Sequence, residues 1–101
     1  MWISLNGVPS CANEKLLRRI LREEWNFTGY IVSDDDALEF IISYHHYLNN
    51  SVSAAAAAVK AGCNLELTGR ASGRVYDDIS QVRLSRYFYF AFTLFVICKN
   101  I

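Results

Sequence analysis

The chain has 101 residues, with ten basic and ten acidic side chains, 52% hydrophobic content and 14% aromatic content. Such a length holds one small domain or a piece of a larger one, so two-domain readings are excluded. The balanced charge and high apolar content argue against a nucleic-acid binder that works by neutralising phosphates, and against a disordered chain.

Taken in chain order, the start MWISLNGVPSC has no basic segment and meets Asn6-Gly7 and Pro9 before any hydrophobic stretch develops, which is not the pattern of a secretory signal. Asn13 is a good N-cap, and Glu14 sits in the first turn, where the helix dipole favours an anion. Leu16, Leu17, Ile20 and Leu21 form one apolar stripe, with Lys15, Arg18, Arg19, Arg22, Glu23 and Glu24 off it. This predicts a surface helix whose arginine-rich face is solvated and ion-paired. Residues Trp25 to Gly29 break it.

Tyr30-Ile31-Val32 is a short, continuously apolar run ending in Ser33-Asp34-Asp35-Asp36. It predicts a strand buried on both faces, with a polar cluster at its carboxyl end. A helix follows from Asp36 to about Tyr47, capped by Asp35 or Asp36. Ser51 is the expected N-cap of a third helix through Ala54–Ala58, with Gly62 as the residue that ends it. Cys63 to Leu67 alternates polar and apolar and predicts a second strand, closed by Thr68-Gly69. Arg74 to about Val82 opens a fourth helix, with Asp77 and Asp78 early in it.

Helix, strand, helices, strand, helix is the alternation of the α/β class with a parallel sheet and right-handed crossovers. Two strands do not make such a sheet by themselves, so the pattern points to a slice of a barrel or doubly wound domain.

The candidate chemistry lies at the strand ends. A carboxylate of the Asp34-Asp35-Asp36 cluster is a catalytic candidate by position if the fold is a barrel. The competing reading is helix capping. Glu66 is a second carboxylate near the same mouth, or a solvated strand-end residue. His45 and His46 are adjacent and diverge on a helix, so a joint metal site is not expected and exposure is. Gly69 to Arg74 lacks the GK[S/T] ending of a phosphate loop and reads as a turn. Cys11, Cys63 and Cys98 are odd in number and form no CxxC motif, so neither a disulfide framework nor a zinc site follows. Sequons at Asn26-Phe27-Thr28 and Asn49-Asn50-Ser51 matter only on a secretory route.

Composition changes near the C-terminus. Residues 1–78 hold all ten acidic groups, whereas residues 79–101 hold Arg83, Arg86 and Lys99 and no acid, with six aromatics between Tyr87 and Phe95. The run Tyr87 to Cys98 is shorter than the ~20 residues that span a bilayer. It predicts a buried element or a hydrophobic tail prone to aggregate. A tail of this kind leaves open an alternative function, that of a non-catalytic interaction or membrane-associated fragment acting through residues 87–98.

The run Asn6-Gly7-Val8-Pro9-Ser10-Cys11-Ala12-Asn13, then Leu16-Leu17, and Ile20 to Asp34 (ILREEWNFTGYIVSD), resembles the late part of the catalytic barrel of glycoside hydrolase family 3. Ala61-Gly62-Cys63-Asn64-Leu65-Glu66 and Val75-Tyr76-Asp77-Asp78-Ile79 resemble the stretches beyond, and the cysteine-containing variants lean towards the β-xylosidase branch. The resemblance implies about two β/α units of a (β/α)8 TIM barrel over residues 1–84, followed by a non-family tail over 85–101. It implies a retaining β-xylosidase or β-glucosidase acting on a β-linked oligosaccharide or glycoside, with Asp34 as nucleophile, no cofactor and no metal. The acid/base and further sugar-holding groups belong to segments of the family that are not matched here, so the resemblance also implies a fragment inactive alone. Relatives of this kind are commonly extracellular or lysosomal. The chain departs from the family pattern at Asp35, commonly Trp or Cys, at Asn64, often Asp, and at Met1 to Leu5.

Overall fold

Asn-Gly between two short extended pairs is the residue choice of a two-residue hairpin, because both central positions need a left-handed backbone. The computed structural model, which describes residues 4–69 and 74–84, shows this hairpin. Strands β1 (Ser4–Leu5) and β2 (Val8–Pro9) pair antiparallel, Ser4 opposite Pro9 and Leu5 opposite Val8. Asn6 and Gly7 turn the chain at φ 52° and 79°. The Asn-Gly signal is in the sequence, yet the hairpin is not among the elements expected from it.

A 3-10 turn (Ser10–Ala12) leads into a helix over Lys15–Glu24. The Asn13 side chain accepts the Leu16 N–H at 3.1 Å, as an N-cap does. The winding is wider than the expected α-helix. It is a π-helix, and the Trp25 N–H closes onto the Ile20 carbonyl five residues back at 2.9 Å. Leu16, Leu17 and Leu21 still share one side and meet the core, with Leu17 buried.

Helix α1 (Ala37–Ser43) is shorter than the stretch to Tyr47 that the periodicity predicts. Past Ser43 the bonds lengthen their reach: His45 N–H bonds the Phe40 carbonyl at 2.8 Å and Tyr47 N–H the Ile41 carbonyl at 3.0 Å, and His46 turns to φ 49°. Tyr44, His45 and Tyr47 are weak helix formers, and the hydroxyl of Ser43 bonds back to the Glu39 carbonyl at 3.2 Å. Helix α2 (Ser51–Ala61) begins one residue earlier than expected in its capping: Asn50, not Ser51, accepts the Ser53 N–H at 2.9 Å. The Ser51 hydroxyl instead bonds the Asp78 carboxylate. Gly62 ends α2 as expected, at φ 103°, with its own N–H on Val59 and that of Cys63 on Ala58, a Schellman closure.

The core forms where α2 lays fully buried Ala54, Ala55, Ala58 and Ala61 against Leu38 and Ile41 of α1, together with Leu17, Cys63 and Val75. Alanine faces let backbones approach closely, and this places the segment after α2 beside the segment before α1. The two expected strands are adjacent and parallel, as an α/β unit requires, but reduced to a single bridge, Val32 with Leu65. The fourth helical segment is a 3-10 helix (Val75–Leu84) packed on α2.

Two expectations are corrected. The first strand is not buried on both faces: Val32 is 52%, Leu65 51% and Leu67 53% exposed, because among the described residues no third strand or helix covers that side. The four helical segments expected to be α-helical include only two that are. The Tyr87–Cys98 run and the center of the Gly69–Arg74 turn lie outside the described residues. Among the described residues no helix is long and apolar enough to cross a membrane.

Gly62 carries a testable consequence. A Cβ there would meet nothing within 4 Å, so Gly62→Ala pays only for the left-handed backbone. The expected loss is about 1 kcal/mol, seen as a lower urea midpoint with an unchanged slope.

Candidate active site

The segment that carries Asp34 is held by backbone and side-chain bonds to the Cys63–Leu67 segment. Asn64 N–H donates to the Ile31 carbonyl at 2.8 Å, Ser33 N–H to the Leu65 carbonyl at 2.9 Å, and Asp36 N–H to the Leu67 carbonyl at 3.0 Å. Ser33 is buried, and its hydroxyl oxygen accepts the Leu67 N–H at 2.8 Å, completing the ladder where the backbone register alone leaves a gap.

Asn64 ties the lower end. Its side-chain oxygen accepts the Ile31 N–H at 2.9 Å and an Arg22 N–H at 2.8 Å. The other end of the Arg22 fork donates to the carbonyls of Phe27 and Gly29, and the guanidinium lies 5.5 Å from the Phe27 ring center. Arg22 is therefore not part of a merely solvated face, as the charge pattern implied. It fastens the π-helix to the turn that launches the first strand. Nothing in the local spacing of residues 22 and 64 signals this pairing, because it joins positions brought together only by the crossover.

The three aspartates have three different tasks. Asp34, exposed at the carboxyl end of its strand, accepts the Asp35 N–H at 2.9 Å, and its carbonyl accepts the Ala37 N–H at 3.1 Å. Asp35 accepts the Gly69 N–H at 2.9 Å, and Asp36, at φ 56°, accepts the Thr68 hydroxyl at 2.6 Å. Asp36 stands at the N-cap of α1, as expected, but its side chain makes no capping bond. Asp35 and Asp36 instead tie the first strand's end to the second's. This leaves Asp34 as the one carboxylate of the cluster whose described side-chain bond stays within its own turn.

Glu66 is bonded to the segment that follows it. Its two oxygens accept the N–H groups of Val75 and Tyr76 at 2.9 and 2.7 Å, which satisfies free donors at the start of the 3-10 helix. Both lone-pair faces of this carboxylate serve the fold, and neither the catalytic nor the solvated reading of Glu66 describes it.

A cavity of ≈ 260 Å³ adjoins Asp34, lined by Cys11, Leu17, Ile31, Phe40 and His45 among others. His45 is half-buried there and edge-on to Tyr44 at 5.3 Å, while His46 is exposed, so only one of the two meets the expected exposure. No group of three metal-ligating side chains occurs among the described residues.

Two thiols are free, Cys11 half-buried and Cys63 buried, and the Cys63 thiol donates to the Leu65 carbonyl at 3.6 Å and the Ile31 carbonyl at 3.9 Å. The influence of Cys11, aided by Tyr76, holds Cys63 below the usual thiol range, and the influence of Cys63 together with burial pushes Cys11 up. Burial raises the Tyr76 phenol, whose hydroxyl also donates to the Cys63 carbonyl at 2.6 Å.

The model of the glycosyl hydrolase family 3 N-terminal domain matches residues 1–85. The chain belongs to that family. It is 46% identical over 66 residues to exo-1,4-beta-xylosidase bxlB of Emericella nidulans, covering 62% of this chain and 9% of that protein. It is 42% identical over 62 residues to beta-D-xylosidase 1 of Arabidopsis thaliana, covering 61% and 8%. A solved structure of a β-glucosidase from Erythrobacter marinus superposes with TM-score 0.73 at 34% identity, over 85% of this chain and 11% of that one. The chain thus spans about a tenth of the relatives it matches.

Two outcomes check this site. Asn64→Ala leaves the Ile31 N–H and Arg22 without their acceptor and is expected to cost about 1–3 kcal/mol, whereas Asn64→Asp, which keeps the oxygen and adds a charge facing Arg22, retains the wild-type denaturation midpoint or raises it. Tyr76 keeps its proton when folded beyond the ordinary value of 10.0, so the unfolded chain binds fewer protons above that pH and stability falls as pH rises through it. Urea titrations from neutral to strongly alkaline pH should show a shallower fall for Tyr76→Phe.

Proposed function

We propose that this chain is the nucleophile-bearing part of a retaining β-glycosidase barrel, about two β/α units of a TIM barrel, with a β-xyloside or β-glucoside as substrate and Asp34 as the attacking group. The supporting observation is the position of Asp34. It is exposed at the carboxyl end of a strand paired in parallel with Cys63–Leu67, which is where barrel enzymes assemble their sites.

The chemistry follows from the carboxylate. Asp34 attacks the anomeric carbon as the glycosidic bond breaks, a covalent glycosyl-enzyme forms, and water releases the sugar with net retention. Departure of the aglycone needs a second carboxyl about 5–5.5 Å away to give and then take a proton. Asp35, Asp36 and Glu66 are each bonded to the fold's own donors, so the acid/base comes from a segment other than these. The chain by itself is therefore incomplete as a catalyst.

The test has two arms. The isolated chain releases no nitrophenol from aryl β-xyloside or β-glucoside above the uncatalysed rate. Grafted in place of the matching segment of a complete family 3 β-xylosidase, it supports turnover, and Asp34→Asn in the graft lowers kcat by roughly 10⁴ or more. Retained turnover in that variant would remove Asp34 from the mechanism, and turnover by the isolated chain would show that it is complete.

A further inference from the structure

The two extended segments have one side turned to the core and the other side bare. Side chains alternate along a strand, and the Val32–Leu65 bridge sets the register between the two. Ile31 and Ser33 face inward, Ile31 packed against the core and Ser33 buried. Tyr30, Val32, Leu65 and Leu67 fall on the opposite side, all about half or more exposed, and exposed Asp34 follows Val32 at the next alternate position. Four large apolar side chains thus form one face that ends at a carboxylate.

The backbone beside this face is also unfinished. Leu65 turns both its groups to the first segment, donating to the Ile31 carbonyl at 3.2 Å and accepting the Ser33 N–H at 2.9 Å. In a parallel pair the next residue turns its groups the other way, and the N–H and carbonyl of Glu66 bond no described residue. The same holds for Val32 on the outer side of the first segment. An apolar face with open edges invites foreign pairing unless something covers it.

The chain carries a segment suited to that task. Leu84, the end of the 3-10 helix, is the last described residue, and only Ser85 and Arg86 stand between it and the run Tyr87–Cys98. This run holds six aromatics, Leu94, Val96 and Ile97 and no charge, so it requires burial as much as the bare face does. Its twelve residues reach ~18 Å wound as a helix and ~40 Å extended, against ~17 Å for the Cys63–Leu67 segment. Charge agrees as well: Arg86 and Lys99 bracket the run, residues 79–101 hold no acid, and the face ends at Asp34. Tethering decides between this run and a second copy of the chain. A short linker gives a segment an effective concentration of order mM, roughly a thousandfold above that of a free copy at μM.

We propose that residues 87–98 dock on the face formed by Tyr30, Val32, Leu65 and Leu67, so that the chain covers its own strand pair up to Asp34. This contact stands independently of any catalytic role for Asp34.

The test places a benzophenone amino acid at position 65 of the full chain, in a mixture of isotope-labelled and unlabelled copies, and maps the adducts by mass spectrometry after irradiation. Adducts to peptides within residues 87–98 of the same copy are expected, in a yield unchanged over a roughly hundredfold dilution. A probe at Arg19, exposed among Glu14, Lys15, Arg18 and Glu23, gives none of them. Val32→Asp combined with Leu67→Asp releases the run, and chymotrypsin then cuts within residues 87–95 roughly tenfold faster or more, since cleavage follows the population of the open form.

Three outcomes overturn the proposal. Adducts mainly between copies assign the face to a second chain. Loss of the 87–98 adducts on adding phosphatidylcholine vesicles assigns the run to lipid. Adducts confined to residues 1–84 leave the face without this cover. The adduct map needs neither aspartate substitution, so it decides the matter even where the double variant fails to fold.

Discussion

The structure depends on the parallel contact between Ile31–Ser33 and Asn64–Leu67. Parallel strands ordinarily gain stability from neighbours on both edges and from helices over both faces. Here the backbone ladder is a single bridge flanked by a few bonds, and side chains make up the difference. Asn64 supplies an acceptor at one end, Ser33 another at the center, and Asp35 and Asp36 two more at the far end. Each replaces a bond that a wider sheet would obtain from backbone alone. Buried or half-buried polar groups of this kind cost more when one partner is removed than they contribute on average when both are present. The pairing is therefore sensitive to single substitutions at positions that carry no apolar weight.

This economy explains why one acidic side chain in the cluster is available. A run of three carboxylates at a strand end would be an electrostatic burden if all three faced one site. Asp35 and Asp36 are instead spent on the Gly69 N–H and the Thr68 hydroxyl, and Glu66 on the start of the 3-10 helix. The carboxylates that the fold consumes are those that hold the second strand's exit against the first. Asp34 is presented at the rim by the same bonds that occupy its neighbours.

What the sequence makes legible here is what local periodicity controls. Gly62 as a terminator, the alanine face of α2, and the two extended segments in parallel order all follow from spacing and residue type. The exact winding does not: Lys15–Glu24 has the stripe of an α-helix but closes five residues back, since Leu16, Leu17 and Leu21 reach the same side in either geometry. The end of α1 at Ser43 was also missed, because Tyr44 and Tyr47 continue the apolar pattern while their rings favour leaving the helix. The least legible features are the long-range ones. Arg22 with Asn64 is set by the crossover through α1 and α2, and Glu66 with Val75 joins the second extended segment to the 3-10 helix, so no rule of spacing within one element contains either. For the candidate site, Asp34 stands out by its position at a strand end, but the reason Asp35 and Asp36, and not Asp34, are tied to the other strand lies in Thr68 and Gly69, more than thirty residues away.

The exposed side of the strand pair bears on how such a site becomes complete. Tyr30, Val32, Leu65 and Leu67 are all about half or more exposed, and they lie on the two segments that present Asp34. Burying that apolar area would contribute ~25 cal/mol for each Å² covered, and a neighbouring strand would satisfy the remaining edge donors at the same time. On the proposed reading, a second carboxyl and the residues that hold the sugar would arrive at the same edge. Covering this edge and supplying those groups are thus one structural requirement. A segment that pairs with either strand in parallel brings its own carboxyl end beside Asp34, so whatever shields Val32 and Leu65 from water also determines what can sit next to that carboxylate.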